Sequence, residues 1–361
     1  MQRQQQLTLW LHSQFPDQPF TLAPASADAS FRRYFRATFA DGQTCIVMDA
    51  PPQHEDCRPF LHIAQLFQDA GIHVPYVYAH DLTQGFLLLS DLGNTTYLQA
   101  LGEGKADTAN ALYGAATDAL IKIQLATQVN ELPPYNDAVL LREMRLFPEW
   151  YISKHLNVTL SEAQNAKLET VFARIIANNL AQPKVYVHRD YHSRNLMVVD
   201  SNRHSPFPHP NPPPTGEGAN ESLREDCSIS PGILDFQDAL YGPITYDLAS
   251  LFKDAYIRWE EAEIIDWLVR YWEKARKVGL PVADDFSVFY RDYEWMAVQR
   301  HLKVLGIFAR LYHRDGKDGY LKDLPLVMAY LRAACTRYID LKPLLNLLDT
   351  LEPKSSVGYT F

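Results

Sequence analysis

The sequence predicts an α+β chain of two lobes, a small mainly β lobe over residues 1–91 and a larger mainly α lobe over residues 92–361. Three observations carry this reading. Segments patterned as strands dominate before residue 92, long segments with helical periodicity dominate after Asn94, and KVYVHRDYHSRNLMVVD interrupts the helical part as strand, polar loop and strand.

In chain order, FTLAPAS and FRRYFRATF read as a strand pair joined by ADAS, and the Asp41-Gly42 turn leads into TCIVMD, which Pro51 and Pro52 stop. CRPFLHIAQLFQDA sets Phe60, Ile63, Ala64 and Phe67 at the i, i+3, i+4, i+7 spacing of a helix with one apolar face. VPYVYAHD and GFLLLSD form a second strand pair. Helices are expected from Ala109 to Gln128, Asp137 to His155 and Ser161 to Leu180, and again from Thr245 through an aromatic-rich stretch at 284–314 to a leucine-rich tail. Residues 201–231 break the pattern with prolines at 206, 208, 210, 212, 213 and 214, then GEG and mixed polar residues. Such a composition cannot bury enough apolar surface to offset its ordering entropy, so a disordered insertion is expected at the tip of a hairpin joining NLMVVD to GILDFQD.

A hydrophobic content of 47% with 12% aromatics is ample for a core. A net charge of -9 argues against a nucleic-acid partner, because binding a phosphate backbone needs a cationic surface. No run approaches the roughly 20 apolar residues of a membrane span, and MQRQQQLTLWLHSQF lacks the order of a signal peptide. The expectation is a cytoplasmic protein with no membrane partner and no obligate protein partner. Cys45, Cys57, Cys227 and Cys335 are scattered without a CxxC pair and read as reduced thiols.

The chemistry concentrates in His188-Arg189-Asp190, Asn195 five residues after the aspartate, and Asp235-Phe236-Gln237, expected on the next strand. Phosphoryl transfer asks for an acceptor hydroxyl aimed at the γ-phosphate and for cations that neutralise developing charge. A carboxylate and an amide oxygen suit a hard magnesium ion. Asp190 is therefore the candidate base, and Asn195 and Asp235 the candidate metal ligands. His188 reads as a buried strut for the loop. The alternation His188, Asp190, His192 admits a metal-hydrolase reading, although no third histidine follows at zinc-like spacing.

HRDYHSRN followed by DFQD resembles the catalytic loop and metal-binding aspartate of the kinase-like fold, in the aminoglycoside phosphotransferase and choline kinase branch. GPITYDLASLF is similar to the segment that braces that loop, which implies a structural role for Asp247. FLLLSDLG resembles the interlobe hinge, implying that the backbone at Leu89, Ser90 and Asp91 meets adenine; the alternative for the Asp91 side chain is to cap the next helix. DASFRRYFR, VMDAPP and QRHLKVLGIFARLYHRDGK are similar to the bacterial anomeric sugar kinases, over nearly the whole chain outside the insertion. That resemblance implies a bilobal protein-kinase-like fold, ATP and Mg2+ as cofactors, and phosphorylation of the anomeric (C1) hydroxyl of N-acetylmuramate or N-acetylglucosamine in cell-wall recycling. The alternatives are a kinase of another small alcohol or an aminoglycoside and, from a different class, a nucleotide-binding pseudokinase scaffold.

Two features depart from the general kinase pattern. The phosphate-covering loop is ADAS rather than glycine-rich, with Ser30 as the expected phosphate contact. Met48 stands where the third strand normally carries a lysine. Arg33 and Arg36 are the candidates to replace its charge, both expected off the apolar face, with Glu55 or Asp56 pairing an arginine. For the acceptor, His192 and Arg194 lie on the loop, Asp254 and Tyr256 follow the bracing segment, and Arg300 and His301 sit on a late helix where Lys303 shares the face of Arg300. A cation there would meet the lactyl carboxylate of muramic acid. Deleting Arg203 to Ser230 is expected to leave turnover intact, as a steady-state assay would show; a folded but inactive deletion variant would refute the insertion reading.

Overall fold

The computed structural model describes residues 2–27, 31–102, 106–199 and 230–352. Ser30, Cys227 and the insertion up to residue 229 lie outside the described residues. The chain packs as two compact units, residues 1–122 with 194–238 and residues 123–193 with 239–361.

The first unit is built on an antiparallel sheet of β1 (Phe20–Ala27), β2 (Arg33–Phe39), β3 (Thr44–Asp49), β4 (Val77–Asp81) and β5 (Phe86–Ser90), in the order β1-β2-β3-β5-β4. Alternation sends Phe35, Ala37 and Phe39 of β2 and Cys45 and Val47 of β3 to one buried face. Leu7, Trp10 and Leu11 of α1 (Gln2–Gln14) cover that face. This helix was not among the expected elements, although Leu7, Trp10 and Leu11 carry the i, i+3, i+4 signal within a largely polar stretch.

The expected second helix forms as α2 (Arg58–Asp69) and buries Phe60, Ile63, Ala64 and Phe67. Its Phe60 and Phe67 rings sit 4.9 and 5.9 Å from Phe236. After β5, α3 (Tyr97–Leu101) is capped by a reciprocal Thr96–Gln99 box, and α4 (Ala106–Leu125) follows.

Later in the chain β7 (Leu196–Val198) and β8 (Pro231–Ile233) pair as the expected antiparallel hairpin, and Pro231 belongs to the strand rather than to the insertion. Val198 N–H donates to Thr95 O at 2.9 Å and Ile233 N–H to His73 O at 2.8 Å. These bonds tie the hairpin to the segments before β4 and α3 and so to the first unit, which takes in residues 92–122 and 194–238 as well as the sheet. β8 ends at Ile233, so Asp235 is not on a strand but in the turn beyond it, with a left-handed φ of 63°.

The second unit is mainly helical. α5 (Asp137–Leu146) gives way at Pro148 to a π-helical stretch, Phe147–His155, where one continuous helix was expected. Proline has no N–H to continue the α ladder, and the wider turn absorbs the missing bond. α6 (Glu162–Ala181) starts at a Ser161–Gln164 capping box. β6 (Lys184–Val187) pairs with β9 (Leu240–Pro243), and α7 (Tyr246–Phe252), α8 (Glu261–Lys277), α9 (Phe286–Asp315), α10 (Leu324–Arg337) and α11 (Lys342–Leu351) complete the unit.

α9 is its axis, packing against α5, α6, α7, α8 and α10. Its residues 293–306 are buried without a break, polar side chains included. No helix among the described residues is long and apolar enough to cross a membrane. Burial pushes the free Cys45, Cys57 and Cys335 thiols up to about 12, 11 and 12.

The approach of α9 to the end of α5 is set by Gly306, where a Cβ would fall 2.3 Å from the Leu146 carbonyl carbon. Gly306→Ala is expected to destabilise the protein by about 1–3 kcal/mol in urea titrations, because backbone rather than a flexible side chain must yield. An unchanged midpoint would show that the two helices can part freely.

Candidate active site

The candidate base belongs to the second unit. Immediately after β6, the N–H groups of His188 and Arg189 donate to the two oxygens of Asp247, in the first turn of α7, at 2.7 and 3.0 Å. Asp247 is fully enclosed; burial pushes its carboxyl up to about 7, against the pull of the two N–H donors. Arg189 takes a left-handed φ of 78°, a conformation that costs about 1–3 kcal/mol in a non-glycine residue. The turn so formed delivers Asp190, whose N–H donates to Nδ1 of the buried His188 at 3.3 Å.

The Asp190 side chain is 38% exposed, and its Oδ1 lies 3.7 Å from Nη1 of Arg300, which also donates to Arg189 O at 3.1 Å. Beside it is a buried charge cluster. Glu143 accepts from Arg189 at 2.6 Å, from Gln299 at 3.0 Å and from the Tyr135 hydroxyl, and pairs with Lys303 at 3.1 Å. Lys303 in turn reaches the Tyr246 hydroxyl at 3.1 Å. Burial alone would raise the Asp190 pKa, but Lys303, Arg300, His192 and Arg189 together outweigh it and hold the carboxyl well below the usual carboxylate range. The result is an anion that is partly open to solvent and set in a rigid cationic frame.

Glu143 is the residue the sequence reading missed. Its only signal was a carboxylate beside Leu140, Met144 and Phe147 on the buried face of a helix.

Three of the six residues expected at the acceptor are buried and engaged by other groups of the chain. Asp254 is buried and accepts from Ser193 N–H at 3.0 Å, Ser193 Oγ at 2.5 Å and Tyr256 N–H at 3.1 Å, which fixes the far end of the loop. Arg300 is 6% exposed and engaged as described. His301 is 2% exposed, with Nε2 at 3.2 Å from Lys253 O and its ring stacked on Tyr330; burial drives its pKa down to about 3. The expectation assumed that α9 had an outward polar face, and this stretch has none. His192 is half-buried, edge-on to Tyr256 at 5.5 Å, Tyr256 packs on Phe308, and Arg194 is exposed.

Lys253 and Glu294 form a second buried pair at 3.2 Å, joined by Arg337 at 2.5 Å and the Tyr338 hydroxyl at 2.8 Å.

The candidate metal ligands belong to the first unit. Asn195 O accepts from Leu234 N–H at 2.9 Å, which ties the residue to the turn that carries Asp235. Asn195 Nδ2 lies 3.4 Å from Asp235 Oδ2, while Gln237 Nε2 and Arg32 Nη2 lie 2.7 and 3.5 Å from Asp235 Oδ1. A third of the Asp235 side chain is open. A carboxylate and an amide side by side on a partly open turn fit a hard, oxygen-seeking magnesium ion. Among the described residues no three His, Cys, Asp or Glu side chains form a metal-holding group, so the alternating His188, Asp190 and His192 do not become a zinc site.

On the sheet, Arg33 pairs across strands with Asp49 and shares the face of Phe35; three residues apart, Arg33 and Arg36 cannot both leave the apolar side. Arg33 is bound to the buried Asp49 together with Arg3, whose Nε is 2.7 Å away. Arg36 grips Asp91 at 2.6 and 3.0 Å and Gly93 O at 3.1 Å. Asp91 also accepts Gly93 N–H at 2.9 Å, closing a turn, and the following helix is capped by Thr96 instead. Leu89 pairs with Ile46 and Val77, and Ser90 N–H donates to Tyr76 O at 2.9 Å. Glu55 accepts Phe31 N–H at 3.2 Å, while Asp56 pairs with Arg58.

The sheet-bearing first unit, the helical second unit and a braced loop aspartate define the class of phosphotransferases with a protein-kinase-like fold. The chain belongs to the phosphotransferase enzyme family, which matches residues 21–205 and 226–285. It is 45% identical, over 100% of both chains, to an N-acetylmuramate/N-acetylglucosamine kinase of Neisseria meningitidis, and 45% identical, over 97% of both, to one of Pseudomonas aeruginosa. Its fold is similar to that of aminoglycoside 2'-phosphotransferase-IIIa in complex with GDP (TM-score 0.59, 13% identity, 92% of this chain and 98% of that one). It is also similar to a choline/ethanolamine kinase family protein of Mesorhizobium loti (TM-score 0.58, 12% identity, 95% and 99%).

Glu143→Gln is expected to cost about 3–5 kcal/mol at neutral pH, since it leaves two buried cations without their anion. The cations hold the folded carboxyl down at about 2 against an ordinary 4.5, although burial pushes the other way. The Glu143 contribution is therefore complete above pH 4.5 and fades as pH falls towards about 2. Urea unfolding of both proteins across that range checks it, and a pH-independent difference would contradict the ion-pair account.

Proposed function

We propose that this protein transfers the γ-phosphoryl group of ATP to the anomeric (C1) hydroxyl of N-acetylmuramate and N-acetylglucosamine, within the recycling of cell-wall precursors in the cytoplasm. The observation that carries the reaction type is the state of Asp190: ionised, 38% exposed, and held on a loop whose backbone is pinned at one end by Asp247 and at the other by Asp254. The full-length relatives named N-acetylmuramate/N-acetylglucosamine kinase support the choice of sugar.

In the proposed step the C1 oxygen forms a bond to the γ-phosphorus, the bond from that phosphorus to the β,γ-bridging oxygen breaks, and ADP departs. Asp190 takes the hydroxyl proton. An anomeric hydroxyl is more acidic than an ordinary alcohol, so it suits a carboxylate whose own basicity has been lowered. Asn195 and Asp235 would hold magnesium, which supplies charge neutralisation on the phosphates. Backbone groups from Leu89 to Asp91 would receive the adenine, within a nucleotide lobe over residues 1–91 and an acceptor lobe beyond it. His192, Tyr256 and Arg194 are the acceptor-side candidates left by the structural commitments of Asp254, Arg300 and His301.

The buried Met48 favours the pseudokinase reading. A scaffold, however, has no chemical use for retaining a base, an amide and a metal carboxylate in one sequence. Asp190→Asn is expected to lower kcat about 10²–10⁴-fold while leaving ATP affinity within a small factor. Coupled ADP release with a panel of amino sugars and aminoglycosides measures this, and unchanged turnover would remove Asp190 from the reaction. The phosphorylated sugar is expected to be acid-labile; an acid-stable product would overturn the assignment to C1.

A further inference from the structure

We infer that Arg32 supplies the phosphate-binding charge that β3 lacks, contacting a nucleotide phosphate oxygen beside Asp235; the inference rests on the ATP-dependent reading above. Three arginines stand in this region, and the structure separates them. Arg33 and Arg36 close on Asp49 and Asp91, two carboxylates with side-chain exposures of 0% and 3%. Withdrawing either would weaken the hold on a buried anion, which is costly. Arg32 instead points at the candidate metal carboxylate, 3.5 Å from Asp235 Oδ1, a group that is 36% exposed. The Arg32 side chain is itself 10% exposed, yet this contact is longer than the 2.6 Å grip of Arg36 on Asp91 and its partner is partly open, so a phosphate could take the place of the carboxylate.

Arg32 stands close in sequence to the strand that faces the missing lysine charge. Tyr34 is the cross-strand partner of Met48, and Arg32 lies two residues before it, in the segment that leads into β2 beside the Arg33–Asp49 pair that ends the register. Its backbone is held on both flanks. Phe31 N–H donates to Glu55 at 3.2 Å and the Phe31 ring stacks on His54 at 4.5 Å, while Arg33 is clamped to Asp49.

A guanidinium at that point carries a planar fork of N–H donors suited to phosphate oxygens and stays charged at every physiological pH. Asn195 and Asp235 would hold magnesium, which would neutralise charge on the nucleotide phosphates, and a phosphate oxygen there would give Arg32 a more highly charged partner than the carboxylate. The arginine would thus keep an anionic partner throughout, and the charge lost at Met48 would be restored from the segment that leads into β2.

The test is calorimetric binding of ATP, ADP and adenosine, each with magnesium, to the wild-type protein, Arg32→Ala and Arg32→Lys, with thermal melts of all three. Arg32→Ala is expected to bind ATP about 10–100-fold more weakly, the loss of one or two charge-assisted hydrogen bonds, with adenosine affinity and melting temperature little changed. Arg32→Lys is expected to recover part of the ATP affinity, keeping the charge without the fork. Wild-type protein that fails to bind ATP with magnesium would sink the kinase reading and this inference with it. Wild-type protein that binds ATP while Arg32→Ala binds it equally well would sink this inference alone, as would an equal loss for adenosine and ATP.

Discussion

Two consecutive backbone N–H groups, those of His188 and Arg189, converge on the single buried carboxylate of Asp247, and the geometry around the candidate base depends on that convergence. A loop leaving a four-residue strand has little of its own to hold it, and here it must also carry a left-handed arginine. Fixing two successive donors on one side chain of α7 removes most of the freedom of the turn before Asp190. Asp254 does the same for Ser193 beyond it. The base therefore sits between two carboxylate anchors, both supplied by one short stretch of sequence around α7.

The second constraint is electrostatic. Glu143, Asp190, Arg189, Arg300 and Lys303 lie close together in the second unit, and the cations outnumber the fully buried anion among them. An excess of buried positive charge is unfavourable unless an anion nearby completes it. Asp190 is that anion, and it stays ionised because protonating it would leave the cations unbalanced. The same arrangement explains why so much of α9 is polar yet buried: Gln299, Arg300 and Lys303 face carboxylates and carbonyls rather than water.

Much of the architecture was legible because local pattern and tertiary packing agree in it. α2 buries the four residues its periodicity selects, and β3 spans the apolar run bounded by a turn and two prolines. The hairpin flanking the insertion could be read from two short apolar segments alone. Where the reading failed, a tertiary partner decided the outcome. Arg33 and Arg36 looked equivalent, yet strand parity puts one towards the Asp49 side and the other towards Asp91. Asp235 left the strand because the turn requires a positive φ, which aspartate tolerates and periodicity does not reveal. Arg300 and His301 were expected at the acceptor, with Lys303 on the face of Arg300, because polar residues three or four apart share one helix face. Only the packing of several helices around α9 shows that this stretch has no solvated face.

The same failure narrows where an acceptor can be bound. With Asp254, Arg300 and His301 enclosed, the acceptor-side candidates in the second unit are those at the loop and its margin, where His192 leans on Tyr256 and Tyr256 on Phe308. An aromatic wall beside a half-buried imidazole offers an apolar surface for an acetyl group or a ring face, with a hydrogen-bonding group at its edge. The buried cations then serve the acceptor indirectly. Their partners in the second unit are Glu143, Asp190, a backbone carbonyl and the Tyr246 hydroxyl, and the open charge on which they act is that of Asp190.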